Sequence, residues 1–143
     1  MTYVRRTLAI AGAALSMTAP FVATASHASA AGRDGVCDSG EFCYYYNGDL
    51  SGSVSDFTGS VADLGTTQPS CYTFIGPGNG QGLCVGDNAG SVWNRSGHTV
   101  RVYFNRNYGG AYQDFPPSTS GNLNTTLKNN NAGHQFISAA SGS

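Results

Sequence analysis

Two short runs carry the side chains best suited to holding a ligand. Asp87-Asn88-Ala89-Gly90-Ser91-Val92 offers a carboxylate, an amide and a hydroxyl in close succession, and Asn130-Asn131-Ala132-Gly133-His134-Gln135 repeats its frame. Such oxygens, presented by a turn, are hard ligands suited to calcium. Only the first run has a carboxylate, so calcium is expected first at Asp87, Asn88 and Ser91. Asn130 and Asn131 are neutral, and His134 there offers a ring suited to other metals. The same amides and hydroxyls have a plainer use, bonding the backbone of their own turns.

Four cysteines are the other chemically pointed residues. Cys37, Cys43, Cys71 and Cys84 are even in number and allow three connectivities. Cys37–Cys43 and Cys71–Cys84 are favoured, because each pair closes a short segment holding glycine. Zinc is the rival reading, but the spacings contain no C-x₂-C pair. Catalytic signatures are missing: there is no Gly-x-Ser-x-Gly elbow, His-Glu-x-x-His or phosphate-cradling loop, and Glu41 is the only glutamate. His98 follows Ser96-Gly97 in a turn and reads as a surface residue. Asp49, Asp56 and Asp63 stand seven apart on strand-turn segments, which would not align them on one face, so they read as solvated turn carboxylates. No cofactor is required by these residues, and the chain does not read as an enzyme.

The elements that must position these groups are strands. Arg5-Arg6, the apolar run from Leu8 to Met17 and Ala28-Ser29-Ala30 read as a secretory leader ending near Ala31. Residues 32–143 then form one domain, expected to be secreted, extracellular and monomeric, with no membrane segment. This part keeps five basic residues against eight acids, a formal charge of −3. A mildly acidic domain without a basic stripe is a poor partner for nucleic acid. Period-two alternation marks strands at Glu41 to Tyr46, Gly52 to Phe57, Cys71 to Ile75 and Ser91 to Asn94. A second set is expected at Val100 to Asn105, Ala111 to Phe115, Leu123 to Leu127 and His134 to Ser138. Pro116-Pro117 and the Ser-Thr-Ser-Gly run after it mark a loop.

The strands come in two copies, about residues 37–95 and 99–138. Tyr103-Phe104-Asn105-Arg106-Asn107-Tyr108-Gly109-Gly110 has two tyrosines five apart and Gly110 two further on; Tyr45, Leu50 and Gly52 keep the frame upstream. Each hairpin is followed by one of the two oxygen-bearing runs. This pairing resembles the βγ-crystallin Greek-key motif, in which a Tyr-x4-aromatic-x-Gly hairpin precedes an amide or acidic pair and a serine. With the leader and cysteines, the chain resembles the secreted bacterial peptidase inhibitors of that fold, peptidase inhibitor family thirty-six. The resemblance implies an all-β, disulfide-bonded sandwich of two Greek keys. It implies a partner too, an extracellular protease, with secreted metalloproteinases among the family's targets through a cysteine-anchored loop. The second copy here has no cysteine. The family's reactive bond therefore has no matching position, and the best candidate for a contact loop is Leu83-Cys84-Val85, at the end of a glycine-rich insertion in the first copy, with Val85 filling an apolar specificity pocket and Cys84 fixing the backbone. Two other readings are an inert crossover loop and a calcium-binding or structural βγ-crystallin-type module.

Overall fold

Seven strands form in chain order: β1 (Phe42–Tyr45), β2 (Val54–Phe57), β3 (Ser91–Asn94), β4 (Thr99–Asn105), β5 (Gly109–Phe115), β6 (Thr119–Asn122) and β7 (Gly133–Ile137). The computed structural model describes Gly12 and residues 32–138, so the expected leader lies outside the described residues except at Gly12. Alternation sets the faces: Val100 and Val102 of β4 are buried while Arg101 between them is only partly covered. The strands make two antiparallel sheets, ordered β2-β1-β3-β6 and β5-β4-β7. Phe42, Tyr44, Val92, Val102, Phe115 and Leu127 lie in the core between them.

Each sheet borrows from the other copy. β6 belongs to the second copy yet pairs with β3 of the first, from Ser91 opposite Asn122 to Asn94 opposite Thr119. Reciprocally, Val61 of the first copy forms a bridge with His134 of β7, with both N–H···O bonds at 2.9 Å. Two backbone bonds repeat the exchange between the oxygen-bearing runs: Asp87 N–H donates to Asn131 O and Asn129 N–H to Ala89 O, each at 3.0 Å.

The hairpins match as the sequence implies. Asp49, Leu50 and Gly52 have φ of 56°, 55° and 81°, and Asn107, Tyr108 and Gly110 have 57°, 58° and 75°. Tyr108 packs on Tyr103 with ring centroids 5.6 Å apart. Three expectations fail. Cys71 to Ile75 is not a strand but holds a single bridge, Thr73 to Cys84. Leu123 to Leu127 is a turn: Asn124 Oδ1 accepts from the N–H of Thr126 and Leu127, which holds the backbone in a capped turn with both leucines buried. The loop expected after Pro117 instead becomes β6, an edge strand whose outer side needs no partner, with both prolines before it.

The two copies are also offset by one residue from their sequence match. Tyr45 pairs with Ser91 and Tyr44 with Val92, whereas Tyr103 pairs with Gly133 and Val102 with His134. Gly133 is therefore the counterpart of Ser91, and His134 that of the core residue Val92. His134 is fully buried among Phe42, Tyr44, Phe57 and Phe136, with ring centroids 4.9–6.0 Å away. Nε2 lies 2.9 Å from Gly59 O, which can only accept, so the proton sits on Nε2 and Nδ1 accepts from the Tyr44 hydroxyl at 3.1 Å.

Burial of this ring lowers the His134 pKa to about 4; the Gly59 bond opposes the shift and the Arg33 charge adds to it. The unfolded value is near 6.5, so the unfolded chain binds the extra proton between these limits. The stability contributed by the neutral ring is complete above pH 6.5 and is lost as pH falls toward 4, by roughly 3 kcal/mol in all. Denaturant unfolding of the domain at pH 7, 5.5 and 4 will show this decline, and His134→Phe will flatten it while lowering stability at pH 7.

Candidate functional site

The first copy spends residues 65–84 where the second spends only 124–126, since Leu64 and Leu123 donate to equivalent carbonyls, Ala132 O and Gly90 O. This insertion is well tied despite its glycines. Cys71–Cys84 closes its base, and Cys37–Cys43 closes the segment before β1; these are the favoured pairings. Backbone bonds join its arms, Phe74 N–H to Leu83 O at 2.9 Å and Val85 N–H to Tyr72 O at 2.8 Å. Phe74 is buried in the core and meets Tyr46 edge-on at 5.7 Å. Gly80 lies directly against the Tyr46 ring, where a Cβ would overlap it, so glycine there lets the arm reach its seat. The segment is a fastened lobe, not a slack crossover.

A second fastening comes from the segment before β1. Arg33 lies with its guanidinium 4.5 Å from the Phe57 centroid and 5.1 Å from that of Tyr72. It donates to Ser55 Oγ and, at 3.0 Å, to Thr73 O. Asp56 accepts from the backbone N–H of Arg33, Asp34 and Gly35. Asp56 is buried, which corrects its reading as a solvated turn carboxylate: three N–H donors replace water around its oxygens. A carboxylate on a strand gave no sequence signal for this clamp.

What the lobe shows to solvent differs from expectation at one residue. Leu83 is 45% exposed and Tyr72 40%, and Thr66 to Ser70 are exposed throughout. Cys84 is buried in its disulfide. Val85, expected to enter a partner's pocket, is fully buried in the core cluster. Leu83 lies on the exposed arm ahead of the disulfide, whereas Val85, past Cys84, re-enters the core as the counterpart of core residue Leu127. Leu83 is the one apolar side chain of the three that is free to meet a partner.

The oxygen-bearing runs lie elsewhere in use. Ser91 Oγ donates to Asn47 O at 2.7 Å and accepts from Leu50 N–H at 3.0 Å, holding the first hairpin. Asn131 is buried, accepting from Ala89 N–H at 3.2 Å and donating to Val85 O at 3.1 Å. Asn88 and Asn130 make matching bonds, to Cys84 O at 2.9 Å and Thr126 O at 3.2 Å. Asp87 is exposed in a left-handed turn at φ 64°, and it lines a hollow with Asp63, Asn105 and Arg106. Burial raises its pKa and the Arg106 charge opposes the rise. Arg106 also stands 3.6 Å from Asp63, so a cation there meets a guanidinium as well as carboxylates. Among the described residues no three His, Cys, Asp or Glu side chains gather in a way that could hold a metal. Of the donors expected for calcium, Asn88, Ser91, Asn130 and Asn131 are thus engaged in fastening turns, and Asp87 is the one left facing solvent.

Compared with known families, residues 30–115 match the model of peptidase inhibitor family I36. No curated protein matches the sequence. Among solved structures, one from work on the evolution of the eye lens βγ-crystallin domain fold aligns with a TM-score of 0.55 at 18% identity, over 72% of this chain and 93% of its own. A βγ-crystallin domain from Clostridium beijerinckii aligns with a TM-score of 0.50 at 17% identity, over 69% of this chain and 99% of its own. At such identities the likeness concerns the fold alone, and it agrees with the two-sheet, two-copy architecture.

If the disulfide holds the lobe, replacing Cys71 and Cys84 together by serine will release it while the core sheets remain. Opening this loop costs roughly 3 kcal/mol in the chain-entropy model, a fall in thermal midpoint on the order of 10 °C. Hydrogen exchange will accelerate at Phe74, Gly82 and Leu83 well beyond the change at Tyr44 or Val102. Equal acceleration throughout would mean that the lobe and the sheets are a single cooperative unit.

Proposed function

Because the chain belongs to peptidase inhibitor family I36, we propose that it is a secreted inhibitor that occupies an extracellular protease through the lobe closed by Cys71–Cys84. The observation that carries the site assignment is the contrast within the lobe. Its base and arms are fixed by a disulfide, a core phenylalanine and the Arg33 clamp, while Leu83 and the Thr66 to Ser70 segment face solvent. A segment ordered before it binds loses less freedom on binding, which is what separates an inhibitor from a flexible substrate. Leu83 supplies an apolar side chain for a specificity pocket, and proteases that select leucine-like residues, secreted metalloproteinases among them, are the fitting targets. Two disulfides suit an oxidising, extracellular setting. In this reading the protein acts as a binder and performs no chemistry.

The test is a panel of secreted metallo- and serine proteases assayed with the mature, oxidised domain. Stoichiometric inhibition of at least one is expected. Burying a leucine side chain is worth about 1.5–3 kcal/mol, so Leu83→Asp will weaken inhibition at least tenfold while the thermal midpoint stays unchanged. Val85→Asp, by contrast, will unfold the domain. Undiminished inhibition by folded Leu83→Asp would move the contact to another surface. Failure to inhibit any member of the panel would remove the inhibitor reading and leave a βγ-crystallin-type structural module.

A further inference from the structure

The outer face of the three-stranded sheet carries a row of tyrosines that neither the core nor the lobe uses. Val100, Val102 and Phe115 face inward, so Arg101 and Tyr103 of β4, Tyr112 and Asp114 of β5 and Gln135 of β7 face outward. Tyr103 lies between Tyr108 and Tyr112, with ring centroids 5.6 and 6.3 Å away. Tyr112 is 53% exposed and Tyr108 37%, while Tyr103 between them is buried. Large rings left in water at this density are uncommon on a domain with no partner to cover them.

The row is held in place before anything binds. Arg101 makes a two-pronged ion pair with Asp114, at 2.8 and 3.0 Å, and its guanidinium lies 3.9 Å from the Tyr112 centroid. One face of Tyr112 is thereby fixed against the sheet, and the exposed remainder of the ring is presented to solvent. The Tyr103 hydroxyl donates to Gln135 Oε1 at 2.9 Å, which orients the amide and leaves its N–H₂ end available as a donor.

We propose that this face binds a neutral polysaccharide, its sugar rings resting on the exposed Tyr108 and Tyr112 on either side of the buried Tyr103. The charge balance selects the ligand: Arg101 and Asp114 cancel, so the face offers no net field to nucleic acid or an anionic surface. Its composition points the same way. Aromatic rings set among hydrogen-bonding groups, with no aliphatic side chain at the central rungs, suit a ligand that is apolar on its faces and polar at its rim. A pyranose ring has C–H groups on its faces and hydroxyls around its rim. The C–H face rests on a tyrosine ring, and the rim reaches the paired Arg101 and Asp114 and the Gln135 amide, each able to bond a hydroxyl. Because the sheet is open and not a pocket, affinity comes from several sugars in line, and extended, insoluble chains are favoured over single sugars.

The experiment is retention of the whole mature domain on microcrystalline cellulose and on chitin, with dextran sulfate as an anionic comparison. Retention on at least one neutral polymer is expected, insensitive to salt between 0.05 and 0.5 M (chosen, at roughly that span, to screen exposed charges). Tyr112→Ala lowers the retained fraction at least fivefold, and Arg101→Ala lowers it by loosening the same ring. Val36→Ser, an exposed apolar residue elsewhere, leaves it unchanged. Unaltered near-ultraviolet circular dichroism confirms that each variant is folded. No retention of the native domain on either neutral polymer overturns the proposal. So does binding confined to dextran sulfate, or an equal loss in Val36→Ser and Tyr112→Ala. Protease inhibition, measured alongside, is independent of every one of these outcomes.

Discussion

The structure rests on an exchange of strands between two copies of one hairpin unit. Each copy alone supplies three members of a sheet and lacks the fourth. β6 reaches across to β3, and Val61 reaches across to His134, so the edge of each sheet is completed by the other copy. The paired bonds of Asp87 N–H with Asn131 O and Asn129 N–H with Ala89 O lie where the crossing chains meet. Half of the chain would leave unpaired backbone donors and acceptors at a buried edge, a large penalty for a small domain. The core between the sheets is consequently a joint product, with Phe42 and Tyr44 from one copy packed against Phe115 and His134 from the other.

Charged residues make up only 10% of the chain, and the polar work inside falls to amides and hydroxyls. Asn94 shows how. Its Nδ2 donates to His98 O, Phe115 O and Pro116 O, and its Oδ1 accepts from the N–H and hydroxyl of Ser96. One side chain thus satisfies the bend between the copies and the start of the connection from β5 to β6. Asn131, Ser91 and Asp56 do comparable service at the other crossings. Buried groups of this kind must be fully partnered to be tolerated, and nearly all are. Glu41 is the exception: Oε2 accepts from Asp38 N–H while Oε1 has no partner among the described residues, and burial raises its pKa.

Local chemistry made much of this fold legible in the sequence. The hairpins were readable because left-handed turns favour few residues, and the disulfides because the cysteines closed short segments. The offset between copies was not. Asn-Ala-Gly occurs at residues 88–90 and 131–133, and matching the two tripeptides places His134 beside Ser91. Pairing with β1 and β4 decides otherwise, and a one-residue shift in a strand exchanges the core face for the outer one. His134 therefore looked like a ligand when it is a core residue. Val85 was hidden differently: Leu83, two residues before it, has similar chemistry, and only the packing of the lobe base on the core decides which of the two is covered. The tyrosine row was hidden for another reason, since which aromatics stay uncovered is settled only when the sheets pack.

Asp56 and Arg33 give the domain a closed beginning. The carboxylate grips three consecutive backbone N–H groups, and the guanidinium is wedged between two rings, so the backbone at residues 33–35 is pinned in three dimensions. Aminopeptidases digest from a free end that can be drawn out straight, one residue at a time. Trimming that arrives at Gly32 meets a chain that must first break these bonds and expose Phe57 and Tyr72. The clamp thus acts as a stop for exoproteolytic erosion, independent of how well the rest of the surface resists being cut.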